Sequence, residues 1–156
     1  MRLEDVFREH QRSVYAYFLR VVGDQHKAEE LTQETFYRAC TAALRYRGDA
    51  PVLNWLFGIA RRVLMEASRK GLFEYTADIT EHDPPAPEHD HAERLDLEQA
   101  FTRLASADRE ALMLVDYLGF APSEAARLVS LEPSAFRMRL LRARGRIRTL
   151  LQEETS

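Results

Sequence analysis

The chain reads as all-α: two small helical domains joined by an acidic, flexible linker. Three observations predict this. Apolar residues recur at spacings of three and four through residues 3–73, and again from about residue 95. The stretch between, 74–96, has no such period and carries Pro84-Pro85-Ala86-Pro87 among acids. The charge changes sign with the pattern. Residues 1–73 hold twelve Lys/Arg against nine Asp/Glu, 74–98 one against nine, and 99–156 nine against seven. The boundaries are therefore 1–73, 74–96 and 97–156.

Each element follows from its residues. Leu3, Val6 and Phe7, then Val14, Tyr17, Phe18 and Val21, trace the apolar face of a first helix. Gly23-Asp24 interrupts it, with Asp24 placed to cap the next helix. That helix turns Ala28, Leu31, Thr35, Ala39 and Ala42 inward and ends near Tyr46. Arg47-Gly48-Asp49-Ala50-Pro51 is a turn signal. A third helix runs from about Val52 to Lys70, with Leu56, Ile59, Ala60, Val63 and Ala67 inward and Gly71 as its stop. In the second block, Ser106 is a candidate cap for a helix over Ala107–Leu118, with Gly119 just beyond. Pro122 suits the first turn of a helix over 122–129. Ser130-Leu131-Glu132 connects it to a last helix opened by Pro133 and running to about Leu151. Phe136, Leu140, Ala143, Ile147 and Leu150 form that helix's buried stripe.

Composition bounds the function. Of 156 residues, 46% are apolar, enough for a real core, and the net charge of -3 hides two basic blocks. Lys27 and Lys70 are the only lysines, so the cations are overwhelmingly arginine, whose planar fork suits phosphate and guanine. Genomic base composition would give the same bias. Cys40 stands alone, which excludes an internal disulfide and a cysteine zinc site; its mid-helix position reads as buried and inert. No apolar run approaches a membrane span and Met1–Asp5 is no signal peptide, so a cytoplasmic location without membrane insertion is expected. His82, His89 and His91 fit no standard metal spacing and read as solvated linker. There is no phosphate loop, no zinc-binding His-Glu pair and no arranged nucleophile and base. The expectation is no enzyme, no cofactor, no metal and no small-molecule substrate. Asp108, Glu110 and Asp116 read as scattered helix-surface acids.

Three constellations remain. Glu30, Gln33, Glu34 and Tyr37 share one helix face. Glu30 and Glu34 are like charges one turn apart, which a basic or amide-rich partner would explain better than solvent. Trp55, Arg62 and Arg69 recur every seven residues with Asn54 and Arg61 beside them. Rings that stack and cations that hold phosphate suit single-stranded nucleic acid, though a half-buried Trp55 with solvated arginines fits the same spacing. Last, a helix, a short connection and an arginine-rich helix make a helix-turn-helix, with seven Arg against two Glu over residues 121–151. A solvated amphipathic helix would share that pattern.

The segments A-E-E-L-T-Q-E-T-F-Y-R-A (28–39) and R-Y-R-G-D-A-P-V-L-N-W-L-F-G-I-A-R-R (45–62) resemble region two of sigma-70-type initiation factors of the extracytoplasmic-function (ECF) group. Ser123–Leu128 followed by Phe136–Arg144 resembles their region four. The resemblance covers nearly the whole chain. It implies a promoter-directing subunit of RNA polymerase. Glu30, Leu31, Gln33, Glu34 and Phe36 would dock on the polymerase clamp helices. Gly48, Asp49, Ala50, Pro51, Asn54, Trp55, Arg61 and Arg62 would open and capture the minus-ten element, the loop over 48–53 cupping a flipped base. Ser134, Arg137, Met138, Arg139, Arg142 and Arg144 would face the minus-thirty-five element. Core polymerase (clamp helices and flap), promoter DNA and an anti-sigma factor are the implied partners. The turn departs from the family, which usually has glycine at Ser130, a small polar cap at Glu132 and Gly-Thr at Ser134-Ala135; Pro51 is also unusual in its loop. The alternative is a sigma-like or helix-turn-helix regulator that binds DNA or a regulatory protein without acting in initiation.

Overall fold

The computed structural model describes residues 2–77 and 97–153, and every regular element among them is helical. Residues 78–96 of the expected linker, with its histidines, lie outside the described residues. The first group comprises α1 (Leu3–Val22), α2 (Gln25–Ala42) and α3 (Val52–Arg69). The second comprises α4 (Leu97–Thr102), α5 (Ser106–Leu112), α6 (Pro122–Leu128) and α7 (Pro133–Glu153).

Local chemistry sets the ends. Gly23 takes the left-handed conformation, φ 79°, and returns its N–H to Leu19 O. Asp24 then accepts from Lys27 N at 2.9 Å, the cap read from the sequence. Thr32 and Thr35 are buried inside α2 and send their hydroxyls back to Ala28 O and Leu31 O, so neither leaves a polar group unmet. A single turn of 3-10 helix over Ala43–Arg45 ends the segment earlier than the expected Tyr46.

The core stripes fall where their spacing puts them. Val14, Tyr17, Phe18, Leu56, Phe57 and Leu64 fill the first group; Leu114, Phe120, Phe136 and Leu140 fill the second. Two assignments fail. Phe7 is 43% exposed, because it covers Phe36 from the rim instead of entering the core. Cys40 is exposed, because α2 turns its Ala39 side inward at that level.

The two groups share one continuous core. α1 packs on α5 and α3 on α6, with Phe57 meeting Phe120 edge-on at 5.6 Å. Residues 74–76 belong to this junction, although the sequence assigns them to the linker. Thr76 N donates to Ser106 Oγ at 2.6 Å, and Ala107 N donates to Thr76 O at 2.9 Å. Ser106 is therefore not the α5 cap; Ala105 holds that position and the Ser106 hydroxyl fastens the incoming strap. The expected helix over Ala107–Leu118 is also not uniform. Past Leu112 it widens into a π turn over Met113–Tyr117, where Leu118 N reaches back to Met113 O at 2.8 Å.

Between α6 and α7 the chain turns through Ser130, the one non-glycine residue with positive φ (57°) among the described residues. A left-handed L-residue costs about 1–2 kcal/mol, which accounts physically for a family preference for glycine at this position. Ser130→Gly relieves that strain and loses roughly 0.5–1 kcal/mol through unfolded-chain entropy. A net stabilisation of about 0.5–1 kcal/mol is expected. A urea midpoint that stays put or falls would show that the serine is unstrained.

Candidate nucleic-acid and polymerase interfaces

Three of the sequence-read sets lie on distinct surfaces. On α2, Glu30, Gln33 and Glu34 are exposed and Tyr37 is 70% exposed. Leu31 and Phe36 are not surface residues: they are 9% and 5% exposed, since α2 must bury that face against α1 and α3. They can shape a docking face only from behind. Both acids also have neighbours on their own helix, and for Glu34 that neighbour is a cation. Glu30 sits 3.2 Å from His26, and Glu34 accepts from Arg38 at 2.9 Å, each one turn away. Arg38 also binds Glu66 of α3, which holds the Glu66 carboxyl below its ordinary pKa and fixes α2 against α3.

The loop before α3 forms a recess of about 270 Å³ lined by Arg45, Tyr46, Arg47, Asp49, Ala50 and Trp55. Gly48 turns it with φ +80°, a conformation side-chain-bearing residues rarely adopt. The Tyr46 hydroxyl donates to Ala50 O across the loop, and its ring packs on Trp55 at 5.0 Å. Pro51 occupies the N-cap position of α3, extended and without a side-chain bond. Gly48, Asp49, Ala50, Pro51 and Arg62 are exposed, and Trp55 is half-buried.

Asn54 and Arg61, by contrast, are engaged. Asn54 Nδ2 donates to Glu124 of α6 at 2.7 Å. Glu124 also accepts from Ala121 N at 3.0 Å, and these bonds lower its pKa. Arg61 Nε donates to Glu110 of α5 at 3.0 Å. Glu110 is fully buried and accepts in addition from the Tyr17 hydroxyl and, at 2.5 Å, from the Tyr75 hydroxyl. The sequence reading placed Glu110 on the surface; its neighbours at helical spacing, Ala107 and Leu114, are core residues and were the available signal. Burial alone would lower the Arg61 pKa, but the charge of Glu110 and the bonds to it outweigh that and hold the guanidinium above its ordinary value.

On α7, Ser134, Arg137, Met138 and Arg142 are exposed and Arg139 half-buried. Met138 and Leu141 are 61% and 64% exposed, an apolar pair among the arginines that pattern reading only half registered. Arg144 is tied back: its guanidinium forks onto Asp116 at 2.6 and 3.0 Å. In this state it braces the π turn instead of facing outward.

Residues 6–71 match the Sigma-70 region 2 family. The likeness to relatives extends over both halves of this chain. The chain is 29% identical to the ECF RNA polymerase sigma factor SigE of Mycolicibacterium smegmatis over 98% of its own length, spanning 63% of that protein. It is 28% identical to the ECF RNA polymerase sigma factor SigM of Bacillus subtilis, covering 96% of this chain and 95% of the relative. Residues 6–71 thus carry a sigma-70 region two, and over nearly its whole length the chain is similar to ECF sigma factors. Its fold is that of solved ECF factors. The structure of sigma factor RpoE with the anti-sigma factor NepR from Bartonella quintana matches at a TM-score of 0.75 and 23% identity over 96% of each chain. CnrH with the cytosolic domain of CnrY matches at 0.68 and 20%, over 97% of this chain and 88% of that one. Within the chain, α1–α3 correspond to the matched region two. No described helix is long and apolar enough to cross a membrane.

The Tyr17 and Tyr75 hydroxyls set a pH dependence. Burial first, and then the Glu110 charge, raise both pKa values above the ordinary tyrosine value. Above about pH 10 the unfolded chain releases these protons while the folded chain keeps them. The folded state then binds more protons, so stability falls as pH rises. Denaturant midpoints should decline from about pH 10, and less steeply in the Tyr17→Phe, Tyr75→Phe double variant. Parallel declines for both proteins would remove the tyrosines as the cause.

Proposed function

We infer that the chain is an ECF sigma factor and directs core RNA polymerase to promoters by dividing the work among three surfaces. The exposed α2 residues Glu30, Gln33, Glu34 and Tyr37 meet the polymerase clamp. The recess at Gly48–Pro51, with Trp55, Asn54, Arg61 and Arg62, captures the opened minus-ten strand. Arg137, Met138, Arg139 and Arg142 on α7 face the minus-thirty-five duplex. Polymerase does the chemistry. The observation that supports this reading most is the recess itself: a glycine-turned loop closed by Tyr46, with an aromatic floor beside exposed cations. Such a surface suits an extruded base, available only after melting. The relatives of this fold solved with anti-sigma chains make an anti-sigma factor a further expected partner. The apolar groove of about 650 Å³ between the groups, lined by Ala16, Leu97, Phe101, Met113 and Ile147, is a surface such a partner fits.

Run-off transcription with purified core enzyme tests the whole reading. Trp55→Ala removes stacking worth about 1–3 kcal/mol per base. It should slow open-complex formation, leave closed-complex affinity nearly unchanged, and be rescued by a pre-melted bubble. No rescue in a folded protein would return Trp55 to a packing role.

Docking is tested separately. Glu30→Arg with Glu34→Arg should abolish co-purification with core polymerase while helicity is kept. Undiminished binding would move the interface off α2.

A further inference from the structure

The outward face of α7 is apolar along its centre and cationic along its sides. With about 100° between successive residues, Ser134, Met138 and Leu141 lie within about 40° of the direction opposite the buried stripe of Phe136, Leu140, Ala143 and Leu150. Arg137 and Arg148 flank that line on one side and Arg142 on the other, and all three are exposed. Met138 and Leu141 join neither the core nor the side chains packed against it. From Pro133 to Leu151 the helix carries six arginines and no acid. The major groove presents the complement of such a face. Phosphates line both sides, and between them lie base edges, of which thymine alone offers a methyl group.

We propose that α7 reads its upstream element through thymine methyls: Met138 and Leu141 cover the C5-methyl groups of two neighbouring A·T pairs, while Arg137, Arg142 and Arg148 hold the flanking phosphates. This rests on the reading of α7 given above and makes Leu141 a specificity-determining residue beside Met138.

The spacing fits. Three residues separate the two side chains by about 4.5 Å along the helix axis, against about 3.4 Å between stacked base pairs, so the pair covers one base step. The chemistry sets the preference. Guanine O6 and N7, or cytosine N4, pressed against a thioether or an aliphatic chain would lose water and gain no partner. A methyl group loses nothing there and adds apolar contact. Guanine readout asks for a guanidinium fork at the centre of the face. Of the nearby arginines, Arg139 is half-buried and Arg144 is bound to Asp116.

The test uses the full chain assembled with purified core polymerase and a pool of duplexes randomised over the length of a promoter. The selected upstream element should carry two adjacent A·T pairs at a fixed position. Deoxyuridine then replaces those thymines singly and together, which removes the methyl and keeps the pairing. Closed-complex affinity should fall about fourfold for each methyl and about fifteenfold for both. Met138→Ala with Leu141→Ala puts good helix formers on an exposed face. That variant should bind the thymine duplex no better than the unmodified protein binds the deoxyuridine duplex, and should be indifferent to the replacement. An element without adjacent A·T pairs, no loss on replacement, or an equal loss in protein and variant overturns the methyl readout. A variant that no longer assembles with polymerase assigns the pair to a protein contact and overturns it as well. Arg137→Ala with Arg142→Ala separates this claim from the one beneath it. It should weaken all duplexes alike and lower the salt slope by about two. If neither changes, α7 does not face the duplex and the reading of that helix itself falls.

Discussion

One buried carboxylate joins the parts of this molecule. Glu110 has no solvent contact and lies among donors from three other segments: Tyr17 on α1, Arg61 on α3 and Tyr75 on the strap after α3. A lone ionised carboxylate in such a place would be costly to bury. Here one cation balances its charge and two hydroxyls fill its remaining acceptor sites, the condition under which a buried pair is tolerated. Removing one member of such a set typically costs about 3–5 kcal/mol, a large share of a typical domain stability of about 5–15 kcal/mol. The junction of the two helical groups is thus organised by charge satisfaction as much as by the Phe57–Phe120 contact.

Much of the fold was legible because its causes are local. The Asp24 cap, the Gly23, Gly71 and Gly119 stops, Pro122 and Pro133 at helix starts, and the Phe136–Leu150 stripe each follow from residues within a few positions of one another. The bounds of α3 were read to within a residue. What pattern reading missed was long-range. Ser106 looks like a cap until Thr76 claims its hydroxyl from thirty residues away. Glu110 looks like a surface acid until Tyr17, Arg61 and Tyr75 converge on it. Helical spacing gives the direction in which a side chain points, and nothing in it says what stands opposite.

The same distinction runs through the site residues. Exposed positions such as Glu30, Gln33, Arg62, Arg137 and Met138 stayed on the surfaces their helix faces imply. Leu31 and Phe36 went inward, because a motif names residues that matter together without saying which of them touch the partner. Asn54, Arg61 and Arg144 are already bound, by Glu124, Glu110 and Asp116. An arginine in a sequence is only a cation; whether its fork is free depends on the tertiary arrangement.

Arg109 shows what this coupling does to helix ends. Its guanidinium crosses from α5 to donate to Val21 O at 2.7 Å, one of the terminal carbonyls of α1 that its own helix cannot satisfy, while also holding Leu104 O at 2.8 Å. Burial lowers the Arg109 pKa, yet an arginine keeps its proton and so remains a full donor. The last turn of α1 is therefore closed by a residue nearly ninety positions downstream. Any excursion that separates the groups leaves that turn to fray, so backbone amide exchange around Leu19–Gly23 becomes a built-in clock for the opening, readable without a probe or a ligand.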